Sequence, residues 1–218
     1  MVNEIFDQFH KIATAPRAQM DSYLQQGKKV VLTSPVYTPE EILHSMGFVP
    51  MGAWGADVEL NRSKEYFPAF LCSIVQSMLE LGINGAYKGA SAIVIPSLCD
   101  TLKTLGENWK YAVKDIPFIP MTYPQHRKPA YGIAYTKAGY ERVIHDLEKL
   151  GGKFDAAALA ESNRIYNRHN QVMRRAEEVL ANHPEITAAQ RSDLFKSAFF
   201  MLKEEHTALV EQLIKELE

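Results

Sequence analysis

Two cysteines, Cys72 and Cys99, carry the widest chemical range in this 218-residue chain. As thiolates they would bind a metal or attack an electrophile. Cys99 lies in "IVIPSLCDTLKTLGENWK", where a short apolar run ends in Pro-Ser-Leu and the cysteine and an aspartate open a helix. Ser97 followed by Asp100 resembles a capping box, with Asp in place of the usual Glu or Gln. The first helical turn would therefore hold Cys99, where unpaired N–H groups and the positive end of the helix dipole favour thiolate. Cys72 lies in "PAFLCSIVQSMLELG" among apolar positions, and by itself reads as a small packed hydrophobe in the second turn of a helix. The two are 27 positions apart with no C-x-x-C pairing, so the short zinc-site patterns do not apply. His44 and His126 follow other strands, which leaves a Cys–His pair open, while no H-E-x-x-H is present. Glu41, in the first turn of the helix after the first strand, is either a charge suited to a helix N-terminus or a catalytic carboxylate.

The elements that must position these residues alternate. Residues 4–25 read as one helix, with Ile5, Phe6, Phe9, Ile12 and Ala13 at helical spacing. "VVLTS" (30–34) reads as a buried strand. "TPEEILHSMG" follows as a helix with Thr38 as N-cap, Pro39 in its first turn and Gly47 as the stop. "FVPMGAWG" is a strand running into a loop, Pro68 opens a helix to about Leu81, and 90–97 is a strand. Leu98 to about Val113 is helical, 116–124 is a strand, and 136–150 is a helix ended by Gly151-Gly152. Strands alternating with helices imply a parallel, doubly wound α/β sheet over 28–152. An N-terminal helix (1–27) precedes it. Two long helical patterns split by Pro184 form a C-terminal appendage (153–218). In such sheets ligands sit outside the carboxyl ends of the strands, where Cys99 falls.

Composition agrees with a globular chain: 46% hydrophobic and 23% charged residues. A net charge of −2 gives no electrostatic case for nucleic acid or an anionic membrane. No apolar run approaches the roughly 18 residues of a membrane span. The first twenty residues make a poor secretory signal, and two cysteines are no disulfide framework, so a reduced, cytoplasmic setting is expected. Trp54 and Trp109 read as core packing and His206 as structural. Arg174, Arg175, Glu177 and Glu178 form an exposed helix face. Arg127 and Lys128 follow the last strand, where a solvated loop or a phosphate contact are both open.

"TPEEILHSMGFVPMGAWGA", "YFPAFLCSIVQSMLE", "IVIPSLCDTLKTLGENWK" and "YPQHRK" resemble, in order, the N-terminal half of the 2-hydroxyacyl-CoA dehydratase subunit family, which includes the core subunits of benzoyl-CoA reductase. The similarity continues through "NRIYNRHNQVMRR" and "FFMLKEEHTALVEQLIKELE". The resemblance implies two flavodoxin-like (Rossmann-like) α/β domains per subunit, with a [4Fe-4S] cluster in the cleft on three cysteine thiolates. Cys72 and Cys99 match two of those ligands. The third belongs to the second domain, and this sequence stops where that domain would begin. Many members carry Pro after the first cysteine and Arg four residues beyond it; Ser73 and Gln76 stand there instead.

The resemblance also implies a chemistry. Eliminating water from a 2-hydroxyacyl thioester needs a C3 proton that is barely acidic and a hydroxyl on the carbon an enolate does not expel from. One added electron makes a ketyl radical that expels the hydroxide and acidifies C3. The implied partners are a homologous second subunit in a heterodimer, an ATP-hydrolysing iron–sulfur activator and the acyl-CoA substrate, in anaerobic metabolism. Two alternatives stand beside it: a benzoyl-CoA reductase-type reductase subunit, and a cluster-free binding or assembly module.

Overall fold

The computed structural model describes residues 1–34 and 37–218. Helices α1 (Val2–Thr14) and α2 (Pro16–Gln25) lead into strand β1 (Lys29–Thr33), then α3 (Glu40–Ser45) and β2 (Phe48–Gly52). A 3-10 turn (Arg62–Glu65) precedes α4 (Ser73–Ile83), β3 (Ala92–Pro96), α5 (Asp100–Ala112), β4 (Phe118–Met121) and α6 (Ala130–Lys149). The chain ends in α7 (Ala156–Leu180), α8 (Ala188–Ser197) and α9 (Lys203–Leu217).

The four strands form one parallel sheet in the order β2-β1-β3-β4. Val31 pairs with Pro50 on one side and Ala92 on the other, and Val94 pairs with Ile119. The strands are nearly continuous apolar runs because both faces are covered, as parallel crossover connections require. Val30, Leu32, Val49, Met51, Ile93 and Ile95 face a core closed by α2, α4 and α5. The alternate residues Val31, Phe48, Ala92, Val94, Ile119 and Met121 face α3 and α6. Both edge strands contain proline, Pro50 and Pro120, which removes donors where further pairing would occur. The architecture is the expected doubly wound parallel sheet.

A third core lies away from the sheet. Ile5, Phe6 and Phe9 of α1 pack with Val172 and Ala176 of α7, Leu194 of α8, and Val210 and Leu213 of α9. The single helix expected over 4–25 is two: Ala15 leaves helical geometry at φ −127°, ψ 56°, because Pro16 biases the residue before it away from the α region. The two long C-terminal patterns resolve into three helices. A capping box between Thr187 and Gln190 opens α8, and the apolar residues 199–201 turn away to pack on the sheet, where Gly52 N–H donates to the Phe199 carbonyl at 2.7 Å. No helix among the described residues is long and apolar enough to cross a membrane.

Candidate functional site

Both cysteines are helix N-caps. Cys99 is extended (φ −143°, ψ 168°) and its carbonyl accepts from Lys103 N–H at 3.2 Å, which starts α5. Cys72 is extended (φ −61°, ψ 140°) and its carbonyl accepts from Gln76 N–H at 3.3 Å, which starts α4. Both thiols are free and exposed. The packed, second-turn position read for Cys72 is therefore corrected. Pro68 does not open the helix; the segment before Ser73 stays outside it, with Phe70 86% exposed. The capping box read at Cys99 is also absent. Ser97 Oγ instead accepts from Tyr123 N–H at 3.2 Å, tying the β3 end to the β4 end, and the exposed Asp100 pairs with Lys103 at 3.1 Å.

The topology sets the two caps at the same end of the sheet. Helices α4 and α5 both leave the carboxyl end of the sheet, cover the same face and run back to its amino end. Near that far end they touch closely: a Cβ on Gly82 would stand 2.9 Å from both Trp109 and Val113. Gly82 and Trp109 each lie ten residues beyond their cysteine, or about 15 Å along a helix. Two helices that both start from the carboxyl end of the sheet and touch near its amino end place Cys72 and Cys99 at the same end of the sheet.

Side chains of α4 fix the segment that leads into it. Gln76, buried, donates from Nε2 to the Leu71 carbonyl at 2.7 Å. Glu80 Oε2 accepts from the N–H groups of Ser63 (2.8 Å) and Asn61 (3.1 Å), anchoring the 3-10 turn upstream. Burial opposes its ionisation, yet these hydrogen bonds outweigh it and hold the carboxyl down at about 2.

An open cleft of about 1150 Å³ lies at the carboxyl ends of β1, β3 and β4. Glu41 lines it, with Ser97, Tyr123, Arg127, Lys137 and Asn163 among the other walls. Burial pushes the Glu41 carboxyl above the usual carboxylate range, the neighbouring Glu40 charge adds to this, and Lys203 opposes it. Tyr123 O–H donates to the Tyr37 carbonyl at 2.6 Å, closing one wall. Ser34 Oγ, buried at the switch point between β1 and β3, has no partner among the described residues. Arg127 reaches the cleft, while His44 does not serve Cys99: its ring contacts Ser162 Oγ at 2.9 Å and Glu204 at 3.0 Å. Trp109 is fully buried with Nε1 donating to the Ile116 carbonyl at 2.9 Å, in keeping with its expected place in the core.

Among the described residues no group of three His, Cys, Asp or Glu side chains is placed to hold a metal ion. The donor set nonetheless suits a cysteine-ligated iron–sulfur group in part, because two free, exposed cysteines are of the ligand type such a group takes. Glu41 was legible as a residue at a helix start. Lys203, Lys137 and Asn163 carry no sequence signal, because they reach their positions only through tertiary packing.

A family model described as "2-hydroxyglutaryl-CoA dehydratase, D-component" matches residues 35–218. The chain is 39% identical over 218 residues to the (R)-phenyllactyl-CoA dehydratase beta subunit of Clostridium sporogenes, covering 99% of this chain and 58% of that one. It is 41% identical over 220 residues to the lactoyl-CoA dehydratase subunit beta of Anaerotignum propionicum, with the same coverage, 99% and 58%. A benzoyl-CoA reductase polypeptide of Thauera aromatica is more distant: 25% over 191 residues, 86% of this chain and 50% of that one. The chain thus spans under two thirds of the length of these relatives. With its sheet, its two capping cysteines and a match over all but the first 34 residues, the chain belongs to the 2-hydroxyglutaryl-CoA dehydratase D-component family.

Proposed function

We propose that this chain contributes to a dehydratase subunit that removes water from a 2-hydroxyacyl-CoA thioester, and that Cys72 and Cys99 supply two of the thiolates holding an iron–sulfur cluster. The observation that carries this reading is the pair of exposed cysteines, each capping a helix, on adjacent parallel helices at the carboxyl end of the sheet. A third ligand would come from chain beyond these residues. Bound there, a cluster would supply one-electron transfer and an open iron position to the elimination.

The chain's own residues do the rest. Glu41, half-buried in the cleft, would hold or take up a proton at its carboxyl oxygens. Arg127 and Lys137 would meet the phosphates of a CoA-type substrate. Leu98 and Ile133 would exclude water from the acyl group. A homologous partner subunit and an ATP-hydrolysing activator complete the proposed assembly, in an anaerobic cytoplasm.

Anaerobic reconstitution of the chain with iron and sulfide, together with its partner subunit, tests this. The expected result is broad visible absorption and bound iron, both lost in Cys72→Ser and in Cys99→Ser. Iron content unchanged by either substitution would overturn the ligand assignment and leave a cluster-free binding module.

A further inference from the structure

Lys203 stands where helix electrostatics disfavour a cation. It is the first residue of α9, beside the positive end of the helix dipole, and its side chain is only 9% exposed. A buried ammonium persists only when paired and hydrogen-bonded. Both conditions are met. Nζ donates to the Ala198 carbonyl at 2.6 Å and lies 3.2 Å from Glu40 Oε2, while the Tyr166 and Phe199 rings stand 5.6 and 5.9 Å away. Glu40, 18% exposed, also accepts from Thr33 Oγ1 at 3.3 Å at the end of β1. The ion pair therefore ties the helical layer to the first turn of α3, where the next residue, Glu41, lines the cleft.

Two adjacent carboxylates at one helix start would otherwise compete for protons. We propose that Lys203 is a positioning residue: its contact with Glu40 fixes that side chain in the wall and so leaves Glu41 as the carboxyl group that exchanges protons with a ligand in the cleft. This rests on the reading of Glu41 given above.

Other charged and titratable groups face Glu41 from every neighbouring element. Tyr123 follows β4, Tyr166 comes from α7, and Glu204 joins Lys203 from α9; the Glu41 charge acts on both tyrosines. Lys137 from α6 and Arg127 stand across the cleft, and His44 shares the helix but is bound to Glu204. Lys203 differs from the other two cations in being buried, with its charge least screened by water.

The test is a carbon-13 titration of glutamate carboxyls in the full chain, with the Glu41 signal assigned by its disappearance in Glu41→Gln. Lys203→Met should raise the Glu41 midpoint by about half a unit to one unit, and Lys203→Arg should restore it. Because Lys203→Met strands a buried carboxylate and can unfold the chain, a second pair of variants carries the same comparison. Glu40→Gln should lower the midpoint, and adding Lys203→Met to Glu40→Gln should raise it again. A Glu41 midpoint that stays at the wild-type value in all these variants, with helix content retained, overturns the proposal. The titration needs no turnover, so its failure is separate from failure of the Glu41 reading, which the activity of Glu41→Gln decides.

Discussion

At the scale of single residues, position in the backbone decided more than residue type. Cys99 was legible because a strand ending in Pro-Ser marks the start of a crossover helix, and the helix start is shifted by only two residues, which moves Cys99 from the first turn to the N-cap. Cys72 was disguised by its own neighbours. Leu71, Ile74, Val75 and Met78 follow helical spacing, yet only Val75 and Met78 are buried, and Ile74 stays half exposed. Periodicity shows which face is apolar; it does not show where the first turn begins. Glu41 illustrates the reverse case, a residue whose bland role at a helix start coexists with a place in the cleft wall. In the reconstituted assembly, Glu41→Gln is expected to lower kcat by about 10²–10⁴-fold with KM changed far less, since glutamine keeps the shape but holds no exchangeable acid proton. Steady-state turnover of a 2-hydroxyacyl-CoA checks it.

At the scale of elements, α4 and α5 form the unit that matters. Their close approach depends on Gly82, whose missing side chain admits the Trp109 ring and Val113. Replacing Gly82 with Leu should force the helices apart and destabilise the fold by about 1–3 kcal/mol. Chemical denaturation measures the stability. The same substitution should reduce the iron retained after reconstitution, because the two sulfurs move apart as the helices splay. Sequence alone showed both helices and the strand between them, though it opened α4 too early, at Pro68. It held no sign of the contact, because Gly82 reads as an ordinary helix-weakening glycine until its neighbour is known. The break between α8 and α9 is hidden in the sequence, since the apolar run through Phe199 and Phe200 imitates a continuing helix. Those residues are apolar for another reason: they pack on the sheet around Trp54.

At the scale of the whole molecule, the helical layer contains a buried imidazole pair that should make stability sensitive to pH. His169 Nε2 lies 3.0 Å from His206 Nδ1, and His206 Nε2 is 3.0 Å from the Leu194 carbonyl, so the Nε2 atoms donate and His206 Nδ1 accepts. Burial pushes His169 down to about 4 and His206 down to about 3, with the neighbouring Lys203 charge adding in both. The unfolded chain takes up these protons first, near the usual histidine value of about 6.5. Stability from the pair is thus complete above that value and lost as pH falls through about 4 to about 3. Thermal unfolding across pH 7 to 4 should show a falling midpoint with excess uptake approaching two protons, reduced towards one in His169→Gln. The sequence reads His206 in "KEEHTALV" as structural, and its burial agrees, but nothing there shows that His169 is its partner. The layer also has an order of assembly written into it. A ribosome releases Ile5, Phe6 and Phe9 long before Val172, Leu194 and Val210, which help to cover them. Until α7, α8 and α9 emerge, the apolar side of α1 lacks its native cover, so nascent chains of this protein should need a chaperone's protection at α1 rather than at the sheet.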